Sequence, residues 1–201
     1  FENYFNIFPF ELINENSVKE NDLINKDFKV SHHFNFPKKF VYFHYKHRLF
    51  DHLLNWKLED ISKFLIFLSS NYENILFSSE LNNAIINEYF SKYYNTYDFN
   101  NQTFNHINNK NIFFLKDIDG YDLFDAVKCS KKVIAPEGII THIGYFLKKP
   151  VLALMHFKLK NRADFISQII SCREWFPPRN YNFTVLKKDF VKSIKKVTKH
   201  L

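Results

Sequence analysis

The stretch from Lys131 to Leu154, KKVIAPEGIITHIGYFLKKPVLAL, constrains the fold more than any other. Val133, Ile134 and Ala135 form a short apolar run that reads as a buried strand. Pro136-Glu137-Gly138 breaks the chain. A helical segment follows, with Ile139, Ile140, Ile143, Phe146 and Leu147 on one stripe and Lys148-Lys149 at its end, where cations suit the helix dipole. Pro150 stops the helix, and Val151 to Leu154 read as the next strand. Strand, tight turn, helix, tight turn and strand make a βαβ unit. In a doubly wound sheet the turn at Glu137-Gly138 falls at the carboxyl edge, where ligands bind. The free N–H groups of a helix start there suit a phosphate.

The same alternation runs through most of the chain. Phe40 to Phe43 read as a strand buried on both faces, followed by His44-Tyr45-Lys46-His47-Arg48. Leu58 to Ser69 has the apolar spacing of an amphipathic helix. Ile75 to Phe77 form a second strand ending at Ser78-Ser79-Glu80, and Leu81 to Tyr93 a second helix. Asn95 to Lys110 is polar and reads as an exposed connection. Ile112 to Leu115 form a third strand, and Leu123 to Val127 a short third helix. Ala163 to Ile170 read as a helix, Trp175-Phe176-Pro177-Pro178 as a fixed turn, Asn182 to Leu186 as an edge strand, and Lys188 to His200 as a basic terminal helix. The expected fold is therefore α/β, a doubly wound, mostly parallel, Rossmann-like sheet over residues 37–201. Residues 1–36 read as an amino-terminal arm or interlobe linker. The pair His32-His33 points to opposite faces if extended, which argues against a metal site there.

Length and charge narrow the function classes. At 201 residues the chain has room for one α/β domain with extra segments. Lys plus Arg number 28 against 21 Asp plus Glu, a net charge of +7 concentrated after Val127, which favours an anionic partner. No nucleic-acid recognition motif accompanies that charge. Cys129 and Cys172 are far apart with no CxxC spacing, so no metal site or disulfide framework is expected and a reducing cytoplasm fits. No apolar run reaches the length of a transmembrane helix. Neither GxGxxG nor GxxxxGK[ST] is present, so nicotinamide and P-loop chemistry lack their signatures.

Three strand ends converge on one expected crevice: His44 to Arg48, Ser78 to Glu80, and Glu137 to His142. Lys46 and Arg48 can neutralise phosphate oxygens. Glu80 can accept hydrogen bonds from ribose hydroxyls. The N–H groups from Gly138 to Ile140, Ile139 included, can hold a pyrophosphate, Thr141 can add a hydroxyl, and His142 lies one turn on. Ordinary readings stand beside these. Glu137 and Glu80 suit simple helix capping by charge, His142 suits a half-buried structural histidine, and Trp56 suits packing.

Taken together, four blocks resemble glycosyltransferase family 9, the ADP-heptose:lipopolysaccharide heptosyltransferases, in its carboxyl-terminal half. They are FVYFHYKHRLFDHLLNWKLEDISKFLIFL, then ILFSSE, then DLFDAVKCSKKVIAPEGIITHIGYFLKKPVLAL, then Trp175 with Pro177-Pro178. The third block looks like the family's Asp-x-x-x-x-His helix and Lys-Pro turn, with Glu137 in place of Asp, His142 at the His and Lys149-Pro150 at the Lys-Pro. His44-Tyr45-Lys46 stands where the family has a Pro-Gly-Ser loop, and Leu54 where it has a Lys before the Trp. The resemblance implies one lobe of a two-lobed GT-B architecture, the lobe that binds a nucleoside diphosphate sugar, ADP-linked in the family, with no metal or other cofactor. It further implies a glycan or lipid-linked acceptor and a cytoplasmic protein peripheral to the inner membrane face. The alternative is a non-catalytic nucleotide-binding or scaffold domain that has kept the fold. The residues do not identify the catalytic base.

Overall fold

A computed structural model describes residues 36–80, 83–107, 111–156 and 180–201. The strands are β1 (Phe40–Tyr45), β2 (Asn74–Ser79), β3 (Asn95–Asp98), β4 (Thr103–Asn105), β5 (Ile112–Lys116), β6 (Lys132–Pro136), β7 (Val151–Met155) and β8 (Tyr181–Val185). The helices are α1 (Leu58–Ser69), α2 (Ala84–Tyr93), α3 (Gly120–Cys129), α4 (Ile139–Phe146) and α5 (Phe190–Val197). A π-helical turn, Arg48–Leu53, follows β1, and a short 3₁₀ turn, Thr198–His200, follows α5.

All eight strands join one sheet in the order β4-β3-β5-β2-β1-β6-β7-β8. Each neighbouring pair is parallel except β3 with β4. The doubly wound, mostly parallel, Rossmann-like sheet is thus the observed fold.

Period-two alternation along the central strands builds two separate cores. Val41, Phe43, Tyr45, Phe77 and Phe114 face one side, where they meet Trp56, Phe64 and Leu65 of the α1 region and Phe90 of α2. Phe40, Tyr42, Leu76, Val133 and Ala135 face the other, where they meet Ala126 and Val127 of α3 and Ile140 and Ile143 of α4. Strands apolar at every position therefore need both layers, as the unbroken run in β1 implies. Trp56 is a packing residue. It is buried, its Nε1–H reaches the carbonyls of Lys187 and Lys188 at 3.3 and 3.1 Å, and its ring meets Phe190 edge-on.

The expected exposed connection from Asn95 to Lys110 is overturned at its start, while Asn100 to Ile107 are exposed as expected. Residues Asn95–Asp98 form a buried strand parallel to β5, and a turn leads into β4 antiparallel beside it. Its polar side chains go inside because each finds a partner. Asn95 Oδ1 accepts from Ile107 N, Thr96 Oγ1 donates to Tyr94 O, and Asp98 takes Lys116 Nζ at 2.6 Å and the backbone N–H of Asn101. The arm over residues 1–36 lies outside the described residues apart from Phe36, which stacks on Phe40. The pair His32-His33, the helix over 163–170, Cys172 and the turn around Trp175 lie outside them too. Among the described residues no helix is long and apolar enough to cross a membrane.

Candidate functional site

The sheet's winding reverses at β1. From β1 the chain crosses through α1 to β2 on one side, while β6 lies on β1's other side and leads through α4 to β7. The helices serving those two directions lie on opposite faces, which makes the β1–β6 boundary the topological switch point, the place where open α/β sheets bind ligands. The sequence places His44 to His47 at one lip and Glu137 to His142 at the other.

The second lip depends on a glycine. Gly138 has φ 145° and ψ −158°, a region effectively closed to other residues. It also lies against the first lip, since a Cβ added there would stand 3.7 Å from Lys46 Nζ. Helices α2, α3 and α5 begin on Asn83, Asp119 and Asp189, each of which accepts a first-turn N–H with its own side chain. Helix α4 begins on Gly138, which has no side chain to do so. Its opening amides, with the positive end of the helix dipole, face the lip uncapped by any side chain of the N-cap residue.

Charge gathers at the same place. Glu137 Oε1 lies 3.3 Å from His142 Nε2. The hydrogen bond from His142, and then the charges of His142 and Lys46, hold the Glu137 carboxyl below its ordinary range despite partial desolvation. Lys46, Glu137, Gly138 and His142 thus form one cluster across the β1–β6 gap. His142 is half-buried and Glu137 exposed.

The other expected residues take different positions. Thr141 is fully buried. Its hydroxyl donates to Gly138 O at 2.7 Å and accepts from Gly138 N at 3.1 Å and from Tyr181, so it fixes the start of α4 rather than facing the crevice. Glu80 accepts the backbone N–H of His47 at 3.1 Å and ties the end of β2 to the turn after β1. Arg48 opens the π-helical turn and is exposed. Ile139 exposes 46% of its surface, and its part in the cluster is its backbone.

Two features escaped the sequence reading. His44 at the end of β1 lies 3.1 Å from the buried Ser78 hydroxyl, which also bonds Tyr42. Burial, then the neighbouring Lys46 ammonium, push the His44 imidazole down to about 4, so it is neutral near pH 7. The β1–β2 register, His44 opposite Ser78, makes this pair, and no local pattern reveals it. Farther along, His47, Asp51 and His52 gather on the π-helical turn, with His47 Nε2 2.9 Å from Asp51 Oδ2. A depression of about 580 Å³ lies elsewhere, between α2 and the end of β5 beside Asn87, Lys116 and Asp117.

No family model matches the sequence, and no curated protein matches it. Solved structures do match in fold. The E. coli heptosyltransferase WaaC with ADP-2-deoxy-2-fluoro heptose aligns with TM-score 0.50 at 11% identity, over 83% of this chain and 44% of that one. The UDP-GlcNAc 2-epimerase from Methanocaldococcus jannaschii aligns with TM-score 0.49 at 14% identity, over 82% and 39%. The likeness is one of fold. The alignment with WaaC supports a GT-B-like, Rossmann-type lobe, and the chain spans less than half the length of either protein.

Proposed function

We propose that this chain is the donor-binding domain of a heptosyltransferase-like glycosyltransferase, holding a nucleoside diphosphate sugar in the crevice between β1 and β6. The observation that carries this reading is the meeting of Lys46 and His142 with a helix start on Gly138, at the point where the winding reverses. The amides of Ile139 and Ile140 would take the diphosphate oxygens, and Lys46 and His142 would supply positive charge. In a displacement at the sugar's anomeric carbon, negative charge grows on the departing diphosphate. Donors fixed in advance at that position lower the barrier. Thr141 positions those donors rather than touching the ligand. The resemblance to family 9 and the fold likeness to a heptosyltransferase make an ADP-linked sugar the first donor to try. The acceptor, a glycan or lipid-linked sugar, would come from a second lobe, and contact with the inner membrane face is part of the same proposal.

One observation favours a second reading, a domain that binds nucleotide without turnover. Glu137 hydrogen-bonds His142 and feels the charge of Lys46, so its carboxylate competes for the two side chains a diphosphate would use. Titration with ADP and with an ADP-sugar, followed by an assay for release of free sugar, separates the two. The donor reading expects tighter binding of the ADP-sugar than of ADP, with slow hydrolysis. Equal binding of both without hydrolysis favours the second reading, and no binding of either removes both.

A further inference from the structure

We infer that the π-helical turn after β1 binds one divalent transition-metal ion of the zinc class through His47, Asp51 and His52. The ligand atoms these three offer all lie within 4.8 Å of one another. His47 Nε2 and Asp51 Oδ2 are 2.9 Å apart, and the His47 and His52 rings meet edge to face at 4.7 Å between centroids. Two ligands about 2.0–2.1 Å from a tetrahedral ion stand roughly 3.3 Å apart, so small side-chain rotations complete the set.

The backbone explains why these residues converge. On an α-helix, positions i and i+5 diverge around the axis. A π-turn closes its hydrogen-bonded ring from i to i+5, which brings both i+4 and i+5 alongside i. The bond from Leu54 N to Leu49 O, at 3.0 Å, is such a closure. The turn is also firmly seated. Leu49, Phe50 and Leu54 are buried beneath it, Phe50 stacks on Tyr45, and Glu80 holds the backbone N–H of His47. The ligands therefore project from fixed backbone, with Asp51 and His52 exposed to entering ions.

Two imidazoles and one carboxylate prefer zinc-like ions to the oxygen-seeking magnesium and calcium. Three protein ligands leave a coordination position open to water or to an anionic group.

Calorimetric titration of the full chain with Zn²⁺ and with Mg²⁺ tests it, alongside melting temperature with and without zinc. Zn²⁺ should bind with one equivalent and raise the melting temperature, and Mg²⁺ should not. His52→Ala and Asp51→Asn should each weaken zinc binding roughly tenfold or more while leaving the metal-free melting temperature unchanged. His106→Ala and Cys129→Ser should bind as the parent does. Absence of a zinc equivalent in the parent, unaltered binding in both His52→Ala and Asp51→Asn, or loss of binding with Cys129→Ser would overturn the site.

Discussion

Gly138 is the residue on which the local geometry turns. Its φ of 145° with ψ −158° admits glycine and little else, and Lys46 lies against it. Gly138→Ala should cost about 1–3 kcal/mol of stability, read from the urea midpoint. The same change should loosen the start of α4, because Thr141 holds both the amide and the carbonyl of Gly138. An unchanged midpoint would mean that the loop relaxes freely. His44 yields a prediction in pH. Its imidazole titrates at the ordinary 6.5 when unfolded and at about 4 when folded. Between those values the unfolded chain binds the extra proton, so stability is full above pH 6.5 and falls as pH drops toward 4. For a half-buried ring the loss should be about 1–3 kcal/mol. Glu137, whose carboxyl is depressed in the fold, adds its own loss only below its unfolded value of 4.5. Denaturant unfolding across pH 4 to 6.5 should therefore show a slope that His44→Gln flattens. The same slope in both proteins would place the titration elsewhere.

At the scale of elements, β3 is the instructive case. Its burial rests on Asp98, where desolvation works against the carboxylate and the bonds from Lys116 and Asn101 outweigh it, leaving the carboxyl below its ordinary range. Asp98→Ala would leave the Lys116 ammonium with the longer 3.8 Å contact to Asp117 and strip the Asn101 N–H of its acceptor, and should cost about 1–3 kcal/mol, measured by denaturant unfolding. A loss under about 0.5 kcal/mol would show that the pair behaves as a surface ion pair. The contrast with other elements shows what sequence reveals. Val133 to Ala135 and Val151 to Leu154 are legible as strands because burial on both faces writes an unbroken apolar run. Asn95 and Asp98 are buried with the help of partners 12 and 18 residues away, Ile107 and Lys116, so the composition of β3 reads as surface. The convergence of His47 and His52 was likewise hidden, since apolar and polar periodicity presumes 3.6 residues per turn and the chain there winds wider.

For the whole molecule, the winding reverses at the β1–β6 boundary, with helical layers on opposite faces to either side. The alternation of strands and helices made the doubly wound sheet legible, and with it the placing of His44 to Arg48, Ser78 to Glu80 and Glu137 to His142 at strand carboxyl ends. It did not foresee that Thr141 and Glu80 would be occupied in holding the crevice together, because those bonds depend on how the loops close in space. The central claim is that this boundary grips a diphosphate. Calorimetric titration of ADP at fixed salt into the parent and into His142→Ala tests it most directly. One-to-one binding by the parent should be weakened roughly tenfold or more in the variant, as expected for loss of a hydrogen bond to a charged group worth about 1.5–3 kcal/mol. Equal affinity for ADP in the two proteins would contradict it.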